Sequence, residues 1–318
     1  MSAPRPLIVR LRNWVGDVLL GLPALERLQA AGYELHLIGK PWAAELLAGH
    51  GWPVHKQPKS LRERVALLRR LRAELRQRDP GFDRRINAVA FPYSFGSALD
   101  MRLAGLRAIG HKREARGWLL GRAVSRPDRH ELEVYWHLAS ALLEQDAPLP
   151  ERLGLQVAPR HHQAAEALCA QHGFPAGGFI VICPFAGGTF AGQNKVWPDF
   201  PAFAADELQG LGLPVVICPG PGEEDEARTQ YPQALCLERV NLGVLAALLQ
   251  RAALLISNDT GPGHLAAAVE APLLSVLGPT DPALWRAWGP TVHIVQGPGQ
   301  VWPARAAVRA KAVELLAR

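Results

Sequence analysis

The chain has 318 residues, which is too long for one ordinary core and indicates two domains of roughly 150 residues each. Because 48% of the residues are hydrophobic, we expect a folded protein rather than a disordered one. Its longest apolar runs are far shorter than the roughly 20 residues that span a bilayer, and its first six residues lack the apolar stretch of a signal peptide. The net charge is +6, and the four cysteines form no CxxC pair, so we expect reduced thiols in a cytoplasmic protein.

The first half of the chain alternates apolar runs with segments of helical periodicity. The predicted strands are residues 7–11, 34–38 and 86–91, and the predicted helices are residues 18–30, 60–78, a stretch from Ser94 and a segment around 129–144. A strand, a glycine-containing loop, a helix and another strand make a βαβ unit. The alternation therefore predicts a parallel sheet covered by helices on both faces.

The basic charge is concentrated in this first half. Between residues 61 and 126, sixteen Lys and Arg accompany six Asp and Glu, whereas residues 160–318 carry ten against thirteen. This asymmetry favours an anionic partner on the first half, although an arginine-rich helix face in solvent would give the same counts. No zinc-finger spacing, RNA-recognition signature or interleaved aromatic pattern accompanies the charge. We therefore expect a phosphorylated lipid or saccharide and no nucleic acid.

A proline-bearing interval, residues 146–159, separates this series from a second one. The predicted elements of the second series are strands at 179–183, 213–218, 253–256 and 273–277, and helices at 160–172, 199–211, 242–251 and 304–318. Two doubly wound domains predict a cleft between them, with ligands outside the carboxyl ends of the strands.

Three loops that follow predicted strands carry polar side chains. Asp17 ends the loop after the first strand, where it is either a helix cap or a general base. Lys195 lies in a glycine-containing loop, residues 184–198, that fails the P-loop pattern. A lysine in such a loop is either solvated or placed to neutralise a diphosphate.

The turn at residues 257–263 follows a buried strand and opens an alanine-rich helix. The first amides of such a helix, with the positive end of its dipole, form an anion site. In the alternative interpretation, Asp259 or Thr260 merely caps the helix.

Glu223, Glu224 and Glu226 follow another strand, where a carboxylate accepts hydrogen bonds from ribose hydroxyls or simply belongs to a charged first helical turn. The loop lacks the glycine pattern of a dinucleotide site. The histidines have no metal-ligand spacing, and no GxSxG elbow is present.

Several motifs together resemble glycosyltransferase family 9, the ADP-heptose:lipopolysaccharide heptosyltransferases. They are WVGD at residues 14–17, the G…KVWP loop at 188–198 and NDTGPGHLAAA at 258–268, in that order. The stretch FPYSFGSAL at 91–99 is similar to a segment of the heptosyltransferase II type. The chain departs from many members at Pro262 and Gly263.

The resemblance implies an α/β protein of GT-B architecture, in which two Rossmann-like, doubly wound domains face a cleft and a C-terminal helix returns to the first domain. The implied domains are an acceptor-binding domain at residues 1–155, a nucleotide-sugar-binding domain at 156–302 and the final helix at 303–318, packing back on the first domain.

The resemblance also implies roles for individual residues. Asp17 and Lys195 are the expected catalytic residues, as base toward the acceptor hydroxyl and as cation toward the donor diphosphate. The expected donor-binding residues are Gly188, Thr189, Lys195, Glu223, Asp259, Thr260, Gly261 and His264. The expected acceptor-binding residues, taken partly from the basic charge, are Asn13, Trp14, Arg62, Arg69, Lys112, Arg113 and Arg116.

The implied activity is inverting, metal-independent transfer of a heptose from ADP-heptose to an anionic lipid A–inner core glycolipid in lipopolysaccharide biosynthesis. No cofactor is expected beyond the donor substrate. The protein is expected in the cytoplasm, with peripheral contact at the cytoplasmic face of the inner membrane. The alternatives are a family member with another nucleotide-sugar donor, a GT-B-like nucleotide-sugar epimerase, and a non-catalytic binding protein for an anionic glycolipid.

Overall fold

The computed structural model describes residues 4–187, 189–190 and 192–317, without the side chains of Thr189 and Phe190. The chain divides into two units, and the boundary between them lies between Pro150 and Glu151. Ala48–His50 is grouped with the second unit. This boundary falls inside the predicted interval 146–159, slightly before the predicted boundary at residue 155.

The first unit is built on one parallel sheet with the strand order β3-β2-β1-β4-β5-β6. Its strands are β1 (Arg5–Arg10), β2 (Tyr33–Gly39), β3 (Val54–Lys56), β4 (Ala88–Ala90), β5 (Ala108–His111) and β6 (Arg122–Val124). Its α-helices are α1 (Val15–Leu20), α2 (Leu22–Ala30), α3 (Trp42–Leu46), α4 (Leu61–Arg78), α5 (Phe95–Leu103) and α6 (Glu131–Leu143). Short 3-10 helices lie at Phe82–Arg84 and Gly117–Leu119.

The second unit repeats this arrangement, with a parallel sheet in the order β11-β10-β7-β12-β13-β14 and a small antiparallel hairpin, β8-β9. Its strands are β7 (Ile180–Cys183), β8 (Thr189–Phe190), β9 (Gln193–Asn194), β10 (Val215–Ile217), β11 (Leu235–Cys236), β12 (Leu254–Asn258), β13 (Leu273–Leu277) and β14 (Val292–Gln296). Its α-helices are α7 (Pro159–His172), α8 (Phe200–Asp206), α9 (Glu224–Gln230), α10 (Leu242–Leu249), α11 (Gly261–Ala268), α12 (Pro282–Trp285) and α13 (Arg305–Leu316). Ala48–His50 and Gln209–Leu211 form 3-10 helices.

The predicted helix at residues 18–30 is interrupted. It begins earlier, as α1, and continues as α2 after Gly21. Pro23 lies in the first turn of α2, and because proline has no amide hydrogen, the helical hydrogen-bond ladder breaks at this point. The earlier start places Asp17 inside the first turn of α1 rather than in the preceding loop.

The C-terminal helix α13 packs on the second sheet. Val308 and Ala312 are fully buried in the core of the second unit, together with Ile256 and Leu274 from the second sheet. The small apolar face of α13 matches the apolar face of that sheet. The predicted return of this helix to the first domain stays a prediction.

Candidate active site

In each sheet the strand order reverses between two central strands, β1 and β4 in the first and β7 and β12 in the second. Open α/β sheets bind ligands outside the carboxyl ends of the strands at such a switch point. Three predicted residues lie on loops or first turns that follow these strands: Asp17 after β1, Lys195 after β7 and Thr260 after β12. Both switch points therefore carry predicted site residues.

Asp17 is held in one orientation by side chains of its own unit. The Tyr135 hydroxyl donates a hydrogen bond of 2.9 Å to Asp17 Oδ1, and Arg12 Nη2 lies 3.5 Å from the same oxygen. Only 9% of Asp17 is exposed. These contacts fix a carboxylate at the carboxyl edge of the first sheet.

A second carboxylate, Glu131, stands beside this group and is fully buried. Arg126 Nη2 lies 2.7 Å from Glu131 Oε2, Arg12 Nη1 lies 3.7 Å from Oε1, and the Tyr93 hydroxyl donates to Oε1. The Arg12 guanidinium also stacks over the Tyr93 ring at 4.4 Å. Burial and the neighbouring Glu131 raise the pKa of Tyr93 further above its ordinary value, and its protonated hydroxyl donates to the Glu131 carboxylate. The positive charges of Arg12 and Arg126 thus balance the negative charges of Asp17 and Glu131.

Four of the side chains around Asp17 were not predicted as site residues: Arg12, Tyr93, Glu131 and Tyr135. One signal was available, because Glu131 and Tyr135 are four residues apart on α6 and so share a helix face. The contact between Tyr135 and Asp17 joins residues 118 positions apart. Only the fold brings two residues so far apart in sequence into contact.

In the second unit, Lys195 pairs with a carboxylate. Lys195 Nζ lies 2.9 Å from Asp259 Oδ2, and His264 Nε2 lies 3.8 Å from Asp259 Oδ1. Burial by itself raises the pKa of Asp259, but the hydrogen bond from His264 and the charge of Lys195 outweigh it and lower the pKa to about 2. Asp259 is therefore ionised at neutral pH and holds the ammonium group beside the start of α11.

Thr260 precedes α11 in an extended conformation but does not cap it with its side chain. Its hydroxyl instead lies 3.2 Å from Ser257 Oγ and 3.7 Å from Cys183 Sγ. Within the described ranges no side chain accepts from the amides of the first turn of α11. Those amides remain available to a ligand, and Lys195 supplies a positive charge nearby.

Asn258 ties both ends of the Lys195 loop to the end of β12. Its Oδ1 accepts from the Trp197 amide at 3.1 Å, and its Nδ2 donates to the Pro184 carbonyl. Trp197 is itself fully buried against Phe200 and Phe203. The buried side chains of Asn258 and Trp197 thus position the lysine, and neither residue was predicted to have this role.

The carboxylates predicted to bind the donor ribose make hydrogen bonds to nearby backbone amides. Glu223 Oε2 accepts from the Gly220 amide at 2.8 Å, and Glu224 Oε2 accepts from the Gly222 amide at 2.8 Å. Both carboxylates thus bond their own turn, as the alternative of a charged helix start predicts, and the choice of a ribose ligand stays a prediction. Gly188 and the Thr189 side chain lie outside the described residues.

Most of the predicted acceptor residues are on the surface of the first unit. The exposed ones are Asn13, Trp14, Arg62, Arg69, Lys112 and Arg113. Arg116 is different, because it is fully buried and donates to the carbonyl oxygens of His111 and Ser94. Arg116 thus lies inside the unit, where its Nε and Nη1 join the end of β5 to the loop after β4, and its contact with the acceptor stays a prediction.

The arginine-rich helix α4 is partly neutralised within the unit. Arg64 pairs with Asp100, Arg72 with Asp83 and Arg78 with Glu34. Part of the local basic excess is therefore neutralised inside the unit. The exposed Arg62, at the start of α4, is not part of these pairs.

The described ranges contain no cluster of three or more His, Cys, Asp or Glu side chains arranged to hold a metal ion. In the same ranges, no helix combines the length and apolar character that crossing a bilayer requires. Metal independence itself stays a prediction.

Comparison with known proteins gives matches in sequence and in fold. The family model for glycosyltransferase family 9 (heptosyltransferase) matches residues 68–314. Lipopolysaccharide heptosyltransferase 1 of Pseudomonas aeruginosa is 29% identical over 314 residues, covering 91% of this chain and 83% of that protein. Two other curated relatives match at 35% and 38% identity over shorter stretches, so the aligned chain spans about a third of their length.

Two solved structures share the fold. The Escherichia coli ADP-heptose lps heptosyltransferase II has a TM-score of 0.80 at 22% identity, with 98% of each chain covered. The E. coli heptosyltransferase WaaC with ADP-2-deoxy-2-fluoro heptose has a TM-score of 0.69 at 22% identity, with 97% of this chain and 99% of that chain covered. These likenesses confirm the predicted fold class, with two Rossmann-like domains of the GT-B type.

Proposed function

The chain belongs to glycosyltransferase family 9 (heptosyltransferase), and from that premise we propose that it transfers a heptose from ADP-heptose to an anionic lipid A–inner core glycolipid, with inversion at the anomeric carbon. The observation that carries the proposal is the pair of Lys195 and Asp259 beside the uncapped first turn of α11. A cation and unpaired helix amides are what a departing diphosphate requires.

The donor reaction follows from this arrangement. As the bond between the anomeric carbon and the diphosphate oxygen breaks, negative charge builds on the leaving ADP and the sugar becomes oxocarbenium-like. Lys195 and the first amides of α11 stabilise that charge without a metal ion. Asp259 acts through Lys195, as a positioning residue.

Asp17 supplies the base in this proposal. The acceptor hydroxyl attacks the anomeric carbon from the face opposite the diphosphate, and its proton passes to the Asp17 carboxylate. One bond forms as the other breaks, which inverts the configuration. The Tyr135 hydroxyl and Arg12 hold the carboxylate in place during the step.

The decisive experiment measures heptose transfer from ADP-heptose to a lipid A–core acceptor, with Asp17→Asn as the variant. We expect kcat to fall by about 10²–10⁴-fold, while ADP still raises the unfolding temperature as it does for the wild type. Asp128→Asn, at an exposed aspartate of the same unit, is the matched control and should retain activity.

Two results would contradict the proposal. Undiminished transfer by Asp17→Asn would show that Asp17 is not the base. Conversion of the nucleotide sugar in the absence of acceptor, without transfer when acceptor is added, indicates an epimerase instead. A panel of ADP, UDP, GDP and CMP in the same thermal measurement tests the nucleotide, and we expect the largest rise with ADP.

A further inference from the structure

A fully buried carboxylate, that of Glu131, lies at the start of α6 in the first unit. Its Oε2 atom lies 2.7 Å from Arg126 Nη2. Its Oε1 atom accepts from the Tyr93 hydroxyl and lies 3.7 Å from Arg12 Nη1. A buried carboxylate is costly unless its oxygens have partners. Arg126 and Tyr93 already supply those partners, so Arg12 is an additional neighbour of Glu131.

Arg12 lies between two carboxylates, at ion-pair distance from each. Its Nη2 atom lies 3.5 Å from Asp17 Oδ1. Its Nη1 atom is nearest to Glu131 and is buried without a hydrogen-bond acceptor among the described residues. The guanidinium stacks over the Tyr93 ring at 4.4 Å, and this contact holds it in place independently of either carboxylate. Asp17 and Glu131 therefore share one positive charge.

Two neutral groups and three arginines complete the surroundings of this pair. Tyr135 donates to Asp17 Oδ1, and burial and the charge of Asp17 raise the pKa of Tyr135. Burial and the neighbouring His137 lower the pKa of His111 to about 3, so its ring carries no charge at neutral pH. The negative charges that face Arg12 are thus those of the two carboxylates. The three arginines lie in the loops after β5 and β6: Arg113, Arg116 and Arg126.

This sharing affects Asp17 as a proton acceptor. An arginine that pairs with one carboxylate stabilises the charged form of that group and so weakens it as a base. A second carboxylate beside the same guanidinium competes for its positive charge and also repels the first carboxylate. Both effects favour the protonated form of Asp17, which makes its carboxylate a stronger base.

We propose that Glu131 is a positioning residue for the transfer reaction, because it competes for Arg12 and thereby leaves the Asp17 carboxylate able to take the proton of the acceptor hydroxyl. This role rests on the proposed function. The proton passes from the hydroxyl to Asp17, while Glu131 exchanges no proton and acts through Arg12.

The first measurement follows the Asp17 carboxyl group directly, without a transfer assay. The full chain is labelled with 13C at the aspartate carboxyl carbons, the Asp17 signal is assigned by its loss in Asp17→Asn, and its chemical shift is titrated with pH. We expect Glu131→Gln to lower the titration midpoint of Asp17 on the order of one pH unit, because Arg12 then pairs with Asp17 alone.

A second variant should move the midpoint in the opposite direction. Tyr93→Phe keeps the ring beneath Arg12 but removes the hydroxyl that donates to Glu131 Oε1. That oxygen then attracts Arg12 more strongly, so the midpoint of Asp17 should rise by a smaller amount. A merely structural role of Glu131 would lower stability in both variants without shifting the midpoint in opposite directions.

Two further variants test the route and the specificity of the effect. In an Arg12→Met background, Glu131→Gln should shift the midpoint of Asp17 less than it does in the wild type, because the shared cation is gone. Glu133→Gln is the matched control, since it removes the same charge from the same helix, where Glu133 pairs with the exposed Arg129. We expect it to leave the midpoint unchanged.

The transfer assay separates this inference from the proposed function. A pH profile of kcat/KM that moves with the Asp17 midpoint in Glu131→Gln supports both. A midpoint that moves as expected in a protein that transfers no heptose supports the coupling through Arg12 and overturns only the proposed function. An unmoved midpoint in Glu131→Gln, an equal shift in Glu133→Gln or an undiminished shift in the Arg12→Met background overturns the inference. If Glu131→Gln does not fold, an unmoved or lowered midpoint in Tyr93→Phe overturns it.

Discussion

At the scale of single residues, the two aspartates of the candidate site differ in their partners. Asp259 faces a lysine and a histidine, which lower its pKa to about 2, whereas Asp17 accepts from a neutral tyrosine and lies beside one arginine. A carboxylate with a pKa of about 2 is a poor acceptor for the proton of a sugar hydroxyl. These partners support the proposed division of roles, in which Asp259 positions Lys195 and Asp17 acts as the base.

Replacing Asp259 by asparagine tests this division through pH. Because the folded pKa lies below the unfolded value of about 3.9, the carboxylate stabilises the protein above pH 4, and the stabilisation is lost as the pH falls toward 2. The shift corresponds to roughly 2 kcal/mol. We expect the wild type to exceed Asp259→Asn in free energy of unfolding at pH 7, with about half of that difference gone by pH 3. Urea titrations across this pH range measure it, and a difference independent of pH would contradict the assignment.

Removing the Tyr135 hydroxyl tests the support of Asp17. Tyr135→Phe keeps the ring contact with Phe91, whose centroid lies 4.9 Å away, but deletes the hydrogen bond to the carboxylate. We expect kcat for heptose transfer to fall on the order of tenfold with KM for ADP-heptose unchanged. Tyr33→Phe, on β2 of the same unit, is the control. An equal loss in both variants would mean that Tyr135 has only a structural role.

At the scale of helices and strands, the sequence was most informative where the elements are long. The helix predicted at 60–78 is α4, Leu61–Arg78, and its start is fixed by a capping box between Ser60 and Glu63. The short edge strands β3 and β6 were missed, because three residues carry too little pattern and their pairing depends on a neighbouring strand. The sheet on which α13 packs could not be predicted from the sequence either, since the packing depends on shape complementarity between the helix and that sheet.

The position of α13 leads to a prediction at Gly278, which follows β13. A Cβ atom at Gly278 would lie 2.3 Å from Trp302 Cε2, and Trp302 leads into α13. Gly278→Ala should therefore displace the tryptophan and lower the free energy of unfolding by about 1–3 kcal/mol, measured in urea. Gly210→Ala is the control, because its Cβ would have no atom within 4 Å. Equal stability of both variants would contradict the described packing of Trp302.

At the scale of the whole molecule, the chain builds the same strand order twice. The alternating pattern predicted two such units, and strand-end residues such as Asp17 and Lys195 predicted the candidate site at the carboxyl edges of the sheets. The sequence could not supply the residues that hold them, Tyr135 and Asn258, because these act across 118 and 61 positions of the chain. Nor could it show that Arg116 is buried, since the charge count is the same for a buried and an exposed arginine.

The uneven charge of the molecule bears on its proposed contact with a membrane. On the first unit, Trp118 is 72% exposed and Phe95 is 36% exposed, and their ring centroids are 6.2 Å apart. Lys112 and Arg113 are exposed a few residues before Trp118. An aromatic pair near basic side chains suits the interface of an anionic lipid surface, where rings enter the headgroup region and cations meet the phosphates.

We therefore expect Trp118→Ala to weaken binding to vesicles of phosphatidylglycerol and phosphatidylcholine on the order of tenfold, measured by co-sedimentation. Transfer to a water-soluble, lipid-free acceptor should be unchanged, because the described ring contact of Trp118 is with Phe95 and not with the residues around Asp17. Val301→Ala, at an exposed apolar residue of the second unit, is the control. Binding of the wild type should also weaken with added salt, since the cations contribute through screened charge. Equal binding by Trp118→Ala and the wild type would exclude this surface as the membrane contact.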